Sequence, residues 1–152
     1  MENILSELIT YSPLENVKKI RFGTRKDGGY ILLNKNLDKA NFLYSYGVAN
    51  EYTFDYDFCH EFKIPGRLFD PTVDHPSKLS DFLYFYKRGL ACGDGSISEH
   101  LCQFSDANGR GILKIDIEGC EWHWLKNLDY NEVNRFDQII IEFHDLHNKE
   151  KQ

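Results

Sequence analysis

The chain has 152 residues, enough for one domain with a sizeable core and too few for two ordinary ones. Aromatic residues make up 14% and charged residues 28%, which argues against a disordered or fibrous chain. The net charge of −6 comes without a basic block, so the composition argues against a dedicated nucleic-acid binder and suits a small neutral or cationic ligand.

At the N-terminus, MENILSELITYSP sets Ile4, Leu5, Leu8 and Ile9 on one helical face and lacks the basic start and unbroken apolar core of a signal peptide. KKIRFGTRKDGGYILL then places two short apolar runs around Asp27-Gly28-Gly29, which predicts a β-hairpin. NFLYSYG reads as a strand ended by Gly47, and ANEYTFDYDFCHEF as the helix after it. GRLFDP is a second short strand, stopped by Pro71 because proline cannot continue a central ladder. FLYFYKRGLA fits a strand or the tail of a helix; the expectation taken is a strand near its end, with Leu79 to Leu83 helical.

Ser96 and Glu99 stand at capping-box spacing ahead of Ile97, Leu101 and Phe104, a helix with a clear start. RGILKIDIEG is an apolar strand that exits into acids and Gly119, and CEWHWLKNL follows at helical spacing. FDQIIIEFHD repeats the pattern, apolar until Glu142 and His144. No stretch approaches the ~20 apolar residues that span a bilayer. Cys59, Cys92, Cys102 and Cys120 form no CxxC pair and no zinc spacing, which predicts apolar filler in a reducing compartment and hence a soluble, cytoplasmic protein.

Strands alternating with helices predict one α/β domain over residues 1–152, with a mostly parallel sheet whose central strands are apolar on both faces. Ligands in such sheets bind beyond the carboxyl ends of the strands, where the strand order reverses. Gly47, Asp70, Asp116 and Glu142 all fall at strand exits.

Gly47 lets a ligand approach the backbone closely, and Asp70 follows at about the ~20-residue offset at which an acid reaches a ribose hydroxyl. The plainer alternative, a tight turn and an exposed loop acid, stays open on pattern alone. The stretch G-V-A-N-E lacks the glycines of a pyrophosphate site, and Glu51 near the helix start would repel phosphate. A cofactor with a ribose, a cationic amino-acid end and no phosphate fits better, namely S-adenosylmethionine, with Glu51 facing the ammonium or sulfonium and Asp70 the ribose diol.

The ordered set DGGYILL, SYGVANEYTFD, LFDPTVDH, LKIDIEGCEW and IIIEFH resembles the FkbM-like branch of class I S-adenosylmethionine-dependent methyltransferases, from about Arg21 to His144. The resemblance implies a Rossmann-like three-layer sandwich with an N-terminal helix and β-hairpin. It implies cofactor contacts from Gly47, Val48, Glu51 and Asp70, with Asp94 at the adenine and Asp116 beside the transferring methyl. In the same terms DGGY becomes a lid carrying Arg25, Asp27 and Tyr30, and the acceptor a small hydroxylated compound such as a sugar or glycan intermediate. The family's sheet adds a reversed strand pair that this chain lacks, so a truncated, catalytically silent cofactor-binding or interaction module is the alternative. The exposed edge at Ile139 to Phe143 is then expected to pair with the hairpin or, in a homodimer, with a second chain.

Alternation along the strand puts Lys114 and Asp116 on one face, so Asp116 reaches the cleft. Glu118 and Glu121 fall by the next helix start, where the dipole favours acids, and read as caps. Glu142 and His144 share a face at the neighbouring exit. Asp116, Glu142 and His144 together suit Mg²⁺, Mn²⁺ or Fe²⁺, while His144 without metal suits a general base or a hydrogen-bonded rim histidine. His75 reads as a loop residue, and of Trp122 and Trp124 one reads as buried and the other as partly exposed, without the pattern saying which.

Overall fold

The structure, a computed structural model, describes residues 16–104 and 109–146. The helix expected in the first thirteen residues lies outside them. A hairpin of β1 (Lys19–Phe22) and β2 (Tyr30–Leu33) pairs antiparallel around the glycine-containing turn, as expected. The main sheet is β3 (Phe42–Tyr46), β4 (Gly66–Phe69), β5 (Leu83–Tyr86), β6 (Gly111–Ile115) and β7 (Phe136–Ile141). Every pairing in it is parallel, in the order β5-β4-β3-β6-β7. Between the strands run α1 (Thr53–Phe62), α2 (Ile97–Phe104), α3 (Glu121–Lys126) and the single turn α4 (Tyr130–Val133). This is the Rossmann-like arrangement, with the strand order reversing between β3 and β6.

The central strands β3 and β6 are buried along their whole length, because helices or the hairpin cover both faces of the sheet. Side chains alternate between two cores. Leu43, Leu68, Leu83 and Ile112 pack against Phe54 and Phe58 of α1 and Leu32 of the hairpin. Tyr44, Phe69, Leu113 and Ile115 pack against Ile97 and Leu101 of α2 and Trp124 of α3. Each fully buried side chain of this kind stabilises the fold by ~1.5–3 kcal/mol.

The helix ends follow local chemistry. Ser96 N–H donates to Glu99 Oε2 at 2.9 Å and Glu99 N–H to Ser96 Oγ at 3.3 Å, the reciprocal capping box read from the sequence. The expected helix at Leu79 to Leu83 does not form. Instead Ser80 Oγ accepts the amides of Phe82 and Leu83, which holds a bend and starts β5 at Leu83. Among the described residues β7 lies at the sheet's edge, where Ile140 packs with Leu32 of the hairpin and Gln138 bonds the hairpin's backbone. Gln138 accepts from Leu33 N–H and donates to Leu33 O, both at 2.8 Å, so its amide stands in for the missing backbone partner.

The cysteines need a correction. Cys92, in the loop after β5, is disulfide-bonded to Cys120 at the start of α3. Only Cys59, buried in α1, is the apolar filler expected, and Cys102 is exposed. Disulfides persist in oxidising surroundings, so this pair runs against the expected reducing compartment. Among the described residues no helix is long and apolar enough to cross a membrane.

Asp55, in the first turn of α1, is 1% exposed, and among the described residues neither carboxylate oxygen makes a well-formed hydrogen bond, the Ser45 hydroxyl interacting with it only weakly. Burial pushes its carboxyl up to about 6, against the pull of the Lys114 charge. Because the folded value exceeds the ordinary 3.8, the folded state holds this proton more tightly. Its contribution is therefore fully present below 3.8 and lost as pH rises through about 6. Asp55→Asn should match the parent chain near the lower value and exceed it in stability above the upper one, read by urea denaturation across that range.

Candidate functional site

A cavity of about 530 Å³ opens at the carboxyl ends of β3, β4, β6 and β7. Its position follows from the reversal of strand order, which leaves a crevice between the loops after β3 and β6. Gly47, Val48, Glu51, Asp70 and Asp94 line one end, and Tyr30, Lys114, Asp116, Glu142 and His144 the other. The predicted site residues therefore share one cavity. Asp27 also lines it, whereas Arg25 does not.

At the first end, Gly47 has φ +73°, and a Cβ there would lie 1.5 Å from the Asp116 carbonyl oxygen. Only glycine fits, since the turn needs both a left-handed conformation and close approach to β6. Val48 is buried in the core beneath the turn. Asp70, 4% exposed, is more than an exposed loop acid. Its Oδ2 accepts from Ala49 N–H at 2.8 Å, and its Oδ1 from the Thr72 amide at 2.8 Å and hydroxyl at 2.6 Å. Burial alone would raise its carboxyl, but the bonds from Thr72, Ala49 and Val48 outweigh burial and hold it below the ordinary carboxylate range.

Glu51 Oε1 accepts from Thr53 N–H at 2.8 Å at the start of α1, and its side chain fills the space beside Gly28, where a Cβ would be 2.2 Å from Cγ. Asp94 packs on Gly89 at the cavity rim. His75 does more than a loop residue, because its Nε2 lies 2.7 Å from Ala49 O and braces the same turn from outside.

At the other end, Tyr30 reaches in from the hairpin. Its hydroxyl donates to Asp116 Oδ2 at 2.8 Å and lies 3.3 Å from Glu142 Oε2. Burial, then Asp116 and Glu142, push the phenol well above its usual range, so it stays a donor. Lys114 is 2% exposed, donates to Gly47 O at 2.9 Å and stands 3.8 Å from Asp116 Oδ2. Its ammonium also lies 4.8 Å over the Tyr30 ring, a cation–π distance.

His144 comes from the segment after β7. Its Nδ1 is 3.1 Å from Glu121 Oε1, and its Nε2 is 3.5 Å from Glu118 Oε2 and 3.8 Å from Asp116 Oδ1. Burial works against protonation, but Glu121 first, then Glu118 and Asp116, outweigh it and raise the imidazole above its ordinary value. Glu118 is the exposed acid expected near the helix start. Glu121 is not a surface cap. It is 0% exposed and accepts from Ile117 N–H and Gly119 N–H, each at 2.8 Å.

Ligand atoms of Asp116, Glu142 and His144 all lie within 4.8 Å of one another, so the three residues expected to share an ion do converge. Two carboxylates and an imidazole are a donor set for a divalent ion. The same acids already meet the Tyr30 hydroxyl, and Lys114 stands beside Asp116, so much of their charge is answered by the protein itself. Sequence reasoning missed the roles of Lys114 and Glu121; the one visible signal was a lysine inside an otherwise apolar strand.

No family model, no curated protein and no solved structure matches the chain.

Asp70 therefore braces the glycine turn whatever else it binds. Asp70→Ala should lower stability by ~1.5–3 kcal/mol at neutral pH, the scale of hydrogen bonds to a charged group. A carboxyl held low stabilises above its unfolded value and loses that contribution on acidification, so the difference should shrink well below 3.8. Urea denaturation at the two pH values reads both effects.

Proposed function

We propose that the chain is an S-adenosylmethionine-dependent methyltransferase of FkbM-like type, acting on the oxygen of a small hydroxylated acceptor such as a sugar or glycan intermediate. The observation that carries this reading is that one cavity joins the Gly47 turn to the Asp116–His144 cluster across the reversal of strand order. The absence of phosphate-binding glycines after β3, with Glu51 there instead, favours a donor without phosphate over a dinucleotide.

When bound, the donor would supply an electrophilic methyl on a sulfonium, a good leaving group as the neutral thioether. The protein's own part is placement. Gly47 and Ala49 would give the donor backbone clearance, Asp70 and Glu51 would offer carboxylate oxygens to its ribose and amino-acid end, and Asp94, at the rim, would serve its adenine. Asp116 and Glu142, with the Tyr30 hydroxyl between them, orient the acceptor hydroxyl, and His144 Nε2 takes its proton. Alignment of oxygen, carbon and sulfur supplies most of the rate, so the cluster acts chiefly as a positioning surface.

A shared divalent ion at Asp116, Glu142 and His144 is a second reading, which the 4.8 Å convergence favours. It would supply Lewis acidity toward the acceptor hydroxyl.

Calorimetry with S-adenosylmethionine, S-adenosylhomocysteine and NAD tests the proposal. The first two should bind and NAD should not; binding of NAD alone would overturn it. Asp116→Asn should leave S-adenosylhomocysteine affinity nearly unchanged and sharply cut methyl transfer to hydroxylated sugars. Donor binding with no transfer to any acceptor would favour the silent module, and heat evolved with Mn²⁺ the second reading.

A further inference from the structure

An acid in the first turn of a helix ordinarily stands in water and answers its own helix's free amides. Glu121 does the opposite. It is fully buried, and both amides that bond it, Ile117 and Gly119, lie before α3, in the turn that leaves β6. Each of its oxygens accepts one backbone N–H, so the carboxyl presents acceptors to the next group it meets. The next group it meets is His144 Nδ1, 3.1 Å from Oε1.

An acceptor at that distance requires a hydrogen on the nitrogen facing it. The geometry points to Glu121 as a positioning residue that holds His144 in its Nδ1–H tautomer, leaving the Nε2 lone pair turned toward the cavity. A second contact completes the clamp. Trp122 Nε1 donates to the His144 carbonyl at 2.7 Å, and its ring lies tilted against Phe143 with centroids 4.7 Å apart. Consecutive residues of α3 thus fix both the backbone and the ring of residue 144.

The Nε2 side is different in kind. Its neighbours there, Glu118 and Asp116, are carboxylates at 3.5 and 3.8 Å, at or beyond hydrogen-bond length. Nε2 is therefore the nitrogen available to an incoming hydroxyl, and the ring cannot turn over without breaking the bond to Glu121. A histidine with a buried carboxylate behind it and its other nitrogen facing the cavity is a directed base. The pairing joins two stretches that look independent in sequence, IEGCEW and EFHD.

This inference rests on the proposed methyl transfer only for what the base acts upon; the tautomer itself exists without donor or acceptor. It is read directly by long-range proton–nitrogen correlation of ¹⁵N-labelled protein, at a pH where the ring is neutral, with His144→Gln assigning the signals. The parent chain should show a protonated Nδ1 and an unprotonated, pyridine-like Nε2. Glu121→Met, apolar and of similar length, should lose that pattern and show Nε2 protonated in part or in full, while the amide spectrum stays folded. A parent chain with the proton on Nε2, or a folded Glu121→Met with an unchanged pattern, would overturn the assignment. If Glu121→Met does not fold, the parent pattern decides alone, and failure to bind S-adenosylhomocysteine would leave that result unaffected.

Discussion

The contact between Gly47 and the Asp116 backbone governs the site. Asp116 N–H donates to Tyr46 O at 3.0 Å, which carries the β3–β6 ladder to its last residue. One position on, the Asp116 carbonyl occupies the space a Cβ of residue 47 would need. The two strand exits therefore meet with no side chain between them. Lys114 closes the same junction from below by donating to Gly47 O. A larger residue at position 47 would push the loop after β3 away from β6 and separate the two ends of the cavity.

Charge is the second constraint. The cavity collects carboxylates from the hairpin turn, from α1's approach and from the exits of four strands, yet its interior cation is a single buried lysine among the described residues. Lys114 answers Asp116 and Tyr30 inside the cavity, and its field reaches the buried Asp55 behind it. A chain with a net charge of −6 keeps these acids together in part because Asp27, Glu51 and Asp70 are each bonded to specific amides and Asp116 and Glu142 meet the Tyr30 hydroxyl.

Much of this was legible in residue order. Short apolar runs ended by turn residues located the strands, the Ser96–Glu99 spacing located α2, and alternation put Lys114 and Asp116 on one face. Glu142 and His144 were placed at an exit for the same reason. What escaped was tertiary. Glu121 has the spacing of a helix cap, and only its burial shows that it faces His144. Ser80 overrode a helix by a local side-chain bond that no apolar period reports. The Cys92–Cys120 pairing depends on two loops meeting in space, since the residues lie 28 positions apart.

The account's central claim is that the Gly47 turn and the Asp116–His144 cluster form the donor and acceptor ends of one methyl-transfer cavity. A crystal structure of the chain grown with S-adenosylhomocysteine tests it most directly. The claim predicts the ribose within hydrogen-bond reach of Asp70 or Glu51, and the thioether sulfur directed toward the space between Asp116 and His144. A ligand bound away from this cavity, or seated in it with the sulfur turned from Asp116 and His144, would contradict the claim.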